Sequence, residues 1–349
     1  MSVNPLRPAE LFDGLRLHQN ENTGGCSPRV LDAISRMARE RVGFYPAYAE
    51  MERVGAAYLG VPTERVAFTN GLDEGIMALC VASLRSTPGG VAPEVIIPEP
   101  TFEIYRLDTD VAGGKVVRVA PRPDYSFPLP AILAAMTPAT RLVLLTNPNN
   151  PTGQLVPKED IRTIARQAPA GATVFLDEAY ADFARETFLA ELESFPNVII
   201  GRTFSKAFGL AGLRIGCLIG APDRLAPVIR ALPVFSVNVC ATVALPAALA
   251  DRAYLEDYLR QVDESKQLIY SACDRLGFKY WKSGGNFVFV KLGDRAAELV
   301  GALAARHIYV KDRSREADCA GCVRISAGWV ADTQALVTAL DEVLCQVPR

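Results

Sequence analysis

Short apolar runs alternate with helix-like segments through the middle of the sequence, and this alternation limits the fold more than any other feature. The apolar runs are rich in Val, Ile and Leu and lie at residues 94–98, 115–119, 141–146, 173–177, 197–203 and 216–220. Continuous runs of this kind are typical of strands that are buried on both faces. With helices at 73–84 and 158–167 between them, they predict an α/β domain in which helices flank a mostly parallel sheet.

The pattern changes near residue 251. A long amphipathic helix is predicted at 251–276, and it is followed by a strand at 286–290, a helix at 294–306, a strand at 322–326 and a helix at 333–345. These elements predict a smaller α+β domain, on which the first 39 residues are expected to pack. We therefore expect a large domain at 40–250 and a small domain built from 1–39 and 251–349, which suits a chain of 349 residues.

Composition narrows the class of protein. The formal net charge is −2, half of the residues are hydrophobic, and neither a basic patch nor a long apolar span is evident. These features indicate a cytoplasmic protein without a nucleic-acid or membrane partner. Cys319 and Cys322 form a single CxxC pair, but the chain has only two His residues. We therefore predict no metal site, and the role of the cysteine pair stays open.

A lysine follows directly after one of the predicted strands. Lys206 lies in the stretch TFSKAFGLAGLR, where small and apolar neighbours would discourage its positive charge and lower its pKa. A neutral amine is what Schiff-base formation with an aldehyde requires. Taken alone, this residue would be better explained as an ordinary surface lysine at a strand end.

Three further motifs carry polar groups at strand ends. Asp177 and Tyr180 lie in FLDEAY, where a carboxylate could pair with a protonated pyridine nitrogen or simply cap a turn. Asn150 lies in the loop TNPNNPTG, at the end of a strand where ligands bind in open α/β sheets. In TNGLDEG, a helix is predicted to begin at Leu72 and Asp73. Its free N–H groups could bind a phosphate, or the segment could be the start of an ordinary capped helix.

In their order along the chain (TNGLDEG, TNPNNPTG, FLDEAY and TFSKAFGLAGLR), the four motifs resemble fold-type I pyridoxal-phosphate aminotransferases. The similarity runs from about Leu17 to Leu344 and includes LHQNENTGGCSP, FYPAY, PEPTFEIY and GCVRISAG. It is strongest to histidinol-phosphate aminotransferases of amino-acid (histidine) biosynthesis and to their relatives, the threonine-phosphate decarboxylases. The resemblance implies pyridoxal 5'-phosphate as the cofactor and a homodimer with shared active sites.

The resemblance also implies roles for individual residues. Lys206 would hold the cofactor as a Schiff base and move the proton between the substrate Cα and the cofactor. Asp177 would pair with the pyridine nitrogen. The other expected cofactor contacts are Tyr180 and Asn150 at the ring hydroxyl, Phe102 on the ring face, and at the phosphate Leu72, Asp73, Ser205, Arg214 and, from the neighbouring subunit, Tyr45.

Substrate contacts are implied for Arg324 at an α-carboxylate, and for Asn20, Asn150 and Lys311. Lys311 stands where close relatives often have an arginine near the substrate phosphate, and Arg313 is a possible substitute. The expected reaction is transamination, with histidinol phosphate and glutamate as the donor pair and 2-oxoglutarate as the acceptor. Decarboxylation of threonine phosphate and transamination of aromatic amino acids, for which Phe102 and Tyr105 could form an apolar pocket, are the alternatives.

Overall fold

Residues 13–85 and 90–346 are described by the structure, which is a computed structural model. The strands in this part of the chain are β1 (Leu15–Leu17), β2 (Val66–Thr69), β3 (Glu94–Pro98), β4 (Lys115–Val119), β5 (Thr140–Thr146), β6 (Thr173–Asp177), β7 (Val198–Thr203), β8 (Gly216–Ile219), β9 (Lys279–Trp281), β10 (Phe287–Lys291), β11 (Ile308–Asp312) and β12 (Cys322–Ser326).

The α-helices lie between and around these strands. They are α1 (Pro28–Ser35), α2 (Arg39–Gly43), α3 (Ala49–Leu59), α4 (Leu72–Ser83), α5 (Ile104–Val111), α6 (Leu129–Ala134), α7 (Lys158–Gln167), α8 (Ala181–Ala184), α9 (Pro222–Ile229), α10 (Val239–Ala250), α11 (Arg252–Leu276), α12 (Ala296–Ala304) and α13 (Val330–Gln346).

Seven strands form the larger sheet, in the order β2-β8-β7-β6-β5-β3-β4. Only β8 runs antiparallel to its neighbours, so the predicted, mostly parallel sheet is confirmed. Alternate residues of β5 and β6 enter two different apolar clusters, with Val143 and Val174 in one and Leu144 and Phe175 in the other. Because both faces of the sheet are covered at these strands, β5 and β6 appear in the sequence as continuous apolar runs.

The smaller sheet has five strands, in the order β1-β11-β12-β10-β9. Residues 15–17 pair in parallel with 308–310, which brings the beginning of the described chain onto a sheet formed by its last third. The predicted strands and helices after residue 251 are present, with boundaries shifted by a few residues. Division of the chain into domains at residues 40 and 250 stays a prediction, and its residues 1–12 lie outside the described part.

No helix within residues 13–85 and 90–346 is long and apolar enough to cross a membrane.

A buried carboxyl group in α5 makes stability depend on pH. Asp108 is 6% exposed, and its Oδ2 has no hydrogen-bond partner among the described residues. Burial, with a smaller contribution from Asp73, raises the pKa of Asp108 to about 7. Between about pH 4 and 7 the folded chain therefore keeps a proton that the unfolded chain releases, so stability falls as the pH rises through this window.

We expect Asp108→Asn, which is neutral and similar in shape, to stabilise the protein at alkaline pH. The expected gain in the free energy of unfolding is about 1–2 kcal/mol near pH 8, with a smaller gain near pH 5.5, because the wild-type group is then largely protonated. Denaturant unfolding at the two pH values measures the difference. A gain that is the same at both values would contradict the assignment of a raised pKa to Asp108.

Candidate active site

A cavity of about 350 Å³ opens at the carboxyl ends of β5, β6 and β7. This is the edge at which ligands bind in parallel α/β sheets, because loops from adjacent strands meet there. Ten of the thirteen predicted site residues line the cavity: Leu72, Asp73, Phe102, Asn150, Asp177, Tyr180, Ser205, Lys206, Arg214 and Arg324. The structure thus brings together motifs that are spread over more than 250 positions of the sequence.

Lys206 supplies the cavity with an amine. It follows β7, and its Nζ donates a hydrogen bond of 2.9 Å to the backbone oxygen of Gln19. Burial lowers the pKa of Lys206 to about 8, and the positive charge of Arg324 acts in the same direction. A substantial fraction of this amine is therefore neutral near physiological pH, which is the form that can attack an aldehyde carbon or accept a proton.

Asp177 places a carboxylate at the end of β6. Its Oδ2 accepts a hydrogen bond of 2.6 Å from the hydroxyl of Tyr105, and its Oδ1 accepts one of 2.9 Å from the backbone N–H of Ala179. Burial raises the pKa of Asp177 to about 6, so the group is mostly ionised at neutral pH. A buried carboxylate of this kind stabilises a cation placed against it.

Tyr105 lies in a different place from the one that the sequence analysis expected. Its side chain is fully buried and packs edge-on against Phe102, with 5.9 Å between the ring centroids, but only Phe102 lines the cavity. The hydroxyl contacts Thr146 at 2.9 Å in addition to Asp177. Its position in α5, within PEPTFEIY, gave no local sign of a partner in β6.

One end of the cavity suits an anion. Helix α4 begins at Leu72 after Gly71, and the hydroxyl of Ser205 is buried without a hydrogen-bond partner in the part of the chain that the structure describes. Arg214 Nη2 lies 2.9 Å from Asp73 Oδ2. Gly71 has φ +80°, a backbone conformation that favours glycine, and a Cβ atom there would lie 2.4 Å from Arg214 Nη2, so a larger residue would also displace this guanidinium. Free helix N–H groups, an unused hydroxyl and a guanidinium match the needs of a phosphate.

A second arginine lies in another part of the wall. Arg324, in β12, donates from Nη1 to Asn150 Oδ1 at 2.5 Å and from Nη2 to the backbone oxygen of His18 at 2.7 Å. Its Nε is buried and has no partner among residues 13–85 and 90–346. Burial lowers the pKa of Arg324 to about 10, which still leaves it cationic at neutral pH. The guanidinium is suited to binding a carboxylate or a phosphate.

Three predicted residues do not line the cavity. Asn20 is fully buried and donates a hydrogen bond of 3.0 Å to the hydroxyl of Tyr180, so it acts behind the wall. Tyr45 is 79% exposed and stacks on Phe235, with 4.3 Å between the ring centroids. Lys311 is half-buried and pairs in register with Arg324 across β11 and β12.

Arg313, the other candidate for a substrate phosphate, is also outside the cavity. It is buried and forms an ion pair with Glu316. Another of its guanidinium nitrogens, Nε, is buried without a hydrogen-bond partner in the described ranges. Whether Lys311 or Arg313 contacts a substrate stays a prediction.

The structure adds residues from β1 and the segment that follows it. Arg16, Gln19 and Glu21 line the cavity, although the sequence analysis assigned no role to them. Gln19 and Glu21 lie in LHQNENTGGCSP, which contributes to the family resemblance, but that motif alone did not indicate which of its side chains face the cavity. Elsewhere in the described chain, no group of three or more His, Cys, Asp and Glu side chains could hold a metal ion, and Cys319 and Cys322 are free thiols.

Comparisons with known proteins agree with this geometry. A family model described as aminotransferase class I and II matches residues 13–340. The chain is 35% identical to the histidinol-phosphate aminotransferase of Moorella thermoacetica, covering 95% of this chain and 86% of that protein, and 37% identical to that of Symbiobacterium thermophilum, covering 87% and 84%.

A solved structure is also similar. The histidinol-phosphate aminotransferase of Sinorhizobium meliloti, in complex with pyridoxal-5'-phosphate, matches with a TM-score of 0.86 and 30% identity, and the match covers 96% of this chain and 92% of that one. The fold-type I aminotransferase fold expected from the motifs is therefore confirmed. With its family model, its relatives and its fold in agreement, this chain belongs to the class I and II aminotransferases.

Proposed function

We propose that this chain is a pyridoxal-phosphate-dependent aminotransferase that removes the amino group of histidinol phosphate and passes it to 2-oxoglutarate. The observation that carries the proposal is the position of the Lys206 amine, which has a pKa of about 8 and shares one cavity with the carboxylate of Asp177 and the guanidinium of Arg324. The names of the relatives at about 35% identity support the choice of donor.

The residues present fit the cofactor. Ser205, Arg214 and the start of α4 would hold its phosphate, Asp177 its pyridine nitrogen, Phe102 its ring face, and Lys206 its aldehyde carbon. The unpartnered hydroxyl of Ser205 and the close contact between Gly71 and Arg214 are features of this chain that favour such a fit. When bound, pyridoxal phosphate supplies an aldehyde that takes up amino groups and a ring that accepts electrons from the substrate Cα.

The chain's own residues would then perform the proton transfers. Lys206 Nζ takes the proton from the substrate Cα when the amine is free and neutral, and it returns the proton on the same side. Asp177 stays ionised because Tyr105 and the Ala179 N–H donate to it, which keeps the facing nitrogen protonated. Burial raises the pKa of Tyr180, so its hydroxyl stays protonated and can donate a hydrogen bond.

Substrate binding would centre on Arg324. Its guanidinium lies at the cavity wall beside Asn150 and can bind the carboxylate of glutamate or the phosphate of histidinol phosphate in turn. We assign a further contact with that phosphate to Lys311 or Arg313. Tyr45 would reach the cofactor phosphate of a second subunit in a homodimer, and its 79% exposure is consistent with a role outside its own chain.

Two alternatives are not favoured. The curated relatives given above are named as histidinol-phosphate aminotransferases, not as threonine-phosphate decarboxylases or aromatic aminotransferases. Tyr105 is fully buried and does not line the cavity, which also disfavours the aromatic substrate pocket expected from Tyr105 and Phe102.

A screen of half-reactions tests the proposal. Purified enzyme loaded with cofactor is mixed separately with histidinol phosphate, threonine phosphate, Phe, Tyr and Glu, and the loss of the visible cofactor band is recorded. We expect rapid loss with histidinol phosphate and with Glu, and recovery of the band on addition of 2-oxoglutarate. Rapid loss with Phe or Tyr but not with histidinol phosphate, or CO₂ release from threonine phosphate, would refute the proposed donor.

A further inference from the structure

A charged pair lies at the mouth of the cavity, and the functions assigned so far do not use it. Arg16 Nη2 donates to both carboxylate oxygens of Glu21, at 2.7 and 2.8 Å. The side chains are 38% and 28% exposed, and both residues line the cavity. An exposed ion pair contributes little to stability, so stability alone does not explain why this pair lies in the cavity wall.

The segment that carries Glu21 is fixed relative to the reactive amine. Lys206 Nζ donates to Gln19 O at 2.9 Å, and Asn22 Nδ2 donates to Ala207 O at 3.2 Å. The hydroxyl of Tyr258 donates to the backbone oxygen of Glu21 at 3.4 Å. Glu21 is therefore bracketed by two contacts with the Lys206 loop, and its carboxylate has a defined place beside the substrate that Lys206 would serve.

The other acidic side chains of the cavity lie in other parts of its wall. Asp177 accepts two hydrogen bonds at the end of β6, and Asp73 pairs with Arg214 at the anion end. Among the described residues, the Glu21 side chain accepts only from Arg16, so its oxygens keep free lone pairs, because a carboxylate has about four acceptor positions. It is the acidic side chain of the cavity wall best placed to accept a further hydrogen bond from a ligand.

The proposed donor has two arms on the carbon that bears its amine, and they differ in chemistry. One arm ends in a phosphate, which suits Arg324, and the other ends in an imidazole, which carries an N–H donor and can become cationic near neutral pH. With the amine at Lys206 and the phosphate at Arg324, the imidazole needs an acceptor at another part of the wall. Glu21 supplies one.

We propose that Glu21 is a specificity residue that accepts a hydrogen bond from the nitrogen heterocycle of the amino donor, and that Arg16 is a positioning residue that orients its carboxylate. This inference rests on the proposed function and adds a residue that recognises the ring. It concerns the choice among phosphorylated amines, because glutamate has no ring to place there.

The experiment compares two donors that differ only in the ring. Histidinol phosphate and phenylalaninol phosphate share the amine and the phosphate arm, but the phenyl ring has no N–H group. We expect Glu21→Gln to lower the ratio of their kcat/KM values about tenfold, since a hydrogen bond to a charged group is replaced by one to a neutral amide. Glu21→Asp, which keeps a carboxylate, should restore part of the ratio.

A matched control removes a similar pair far from the cavity. Arg275 in α11 donates two hydrogen bonds, of 2.6 and 3.0 Å, to the carboxylate of Asp341 in α13. Asp341→Asn removes this ion pair and should leave the ratio of the two kcat/KM values unchanged. An unchanged ratio in Glu21→Gln, or equal losses with both donors, would overturn the role of Glu21. A wild-type enzyme that does not use histidinol phosphate would instead overturn the proposed function, and the inference with it.

Discussion

Replacing Lys206 with alanine is expected to lower transamination by at least about 10⁴-fold, because the substitution removes both the amine that would hold the cofactor and the base that would move the Cα proton. The structure gives the physical basis, since burial brings the pKa of this amine to about 8. Steady-state rates and borohydride reduction followed by mass spectrometry measure the two losses. We expect no covalent cofactor on the variant protein.

Lys291→Ala is the matched control for this substitution. Lys291 is an exposed lysine at the end of β10, and it does not line the cavity. It should keep wild-type rates and covalent cofactor content. If Lys206→Ala retained covalent cofactor at another lysine, the assignment of Lys206 would be wrong. If circular dichroism showed that Lys206→Ala does not fold, Lys206→Arg would be the test, because arginine keeps the length and charge of the side chain but cannot supply a neutral amine.

Asp177→Asn is expected to lower kcat by about 10²–10³-fold while the chain stays folded. The variant keeps the shape of the side chain and can still accept from Tyr105, but it loses the negative charge that would keep the facing ring nitrogen protonated. The loss should therefore fall on the rate of Cα proton removal. Stopped-flow measurement of the half-reaction, with a deuterated Cα, reports that step directly.

Tyr105→Phe serves as the graded comparison for Asp177. It removes one of the two hydrogen bonds to the carboxylate but leaves the charge, so we expect a loss of about tenfold. A double variant should lose little more than Asp177→Asn alone, because the two side chains act through the same contact. Independent, multiplicative losses would show that Tyr105 has a separate role.

Six of the seven strands of the larger sheet, all but β2, were predictable because each carries its own signal. Between residues 94 and 220 the strands are apolar runs, most of them buried on both faces, and the observed boundaries differ from the predicted ones by one residue at most. Short or half-exposed strands lack that signal. β1 and β9 have three residues each, and β2 alternates between half-buried and buried positions, so neither length nor composition separates them from loops.

The candidate site could be predicted where a residue ends a strand. Lys206 and Asp177 follow β7 and complete β6, and the parallel sheet brings these ends together. Contacts between distant segments could not be predicted from local patterns. The hydrogen bond from Tyr105 to Asp177 and the place of Glu21 at the cavity mouth depend on packing that no single motif records.

The cavity wall and the contacts behind it also join segments that are far apart in the chain and are therefore synthesised at different times. Asn20 contacts Ser326 across 306 positions, and Arg324 contacts Asn150 across 174. Such non-local contacts form late in folding, because the intervening chain must first be ordered. During translation the cavity therefore stays open on one side until β12 has emerged. Capture of the proposed cofactor would then be an event of the finished chain rather than of the nascent one.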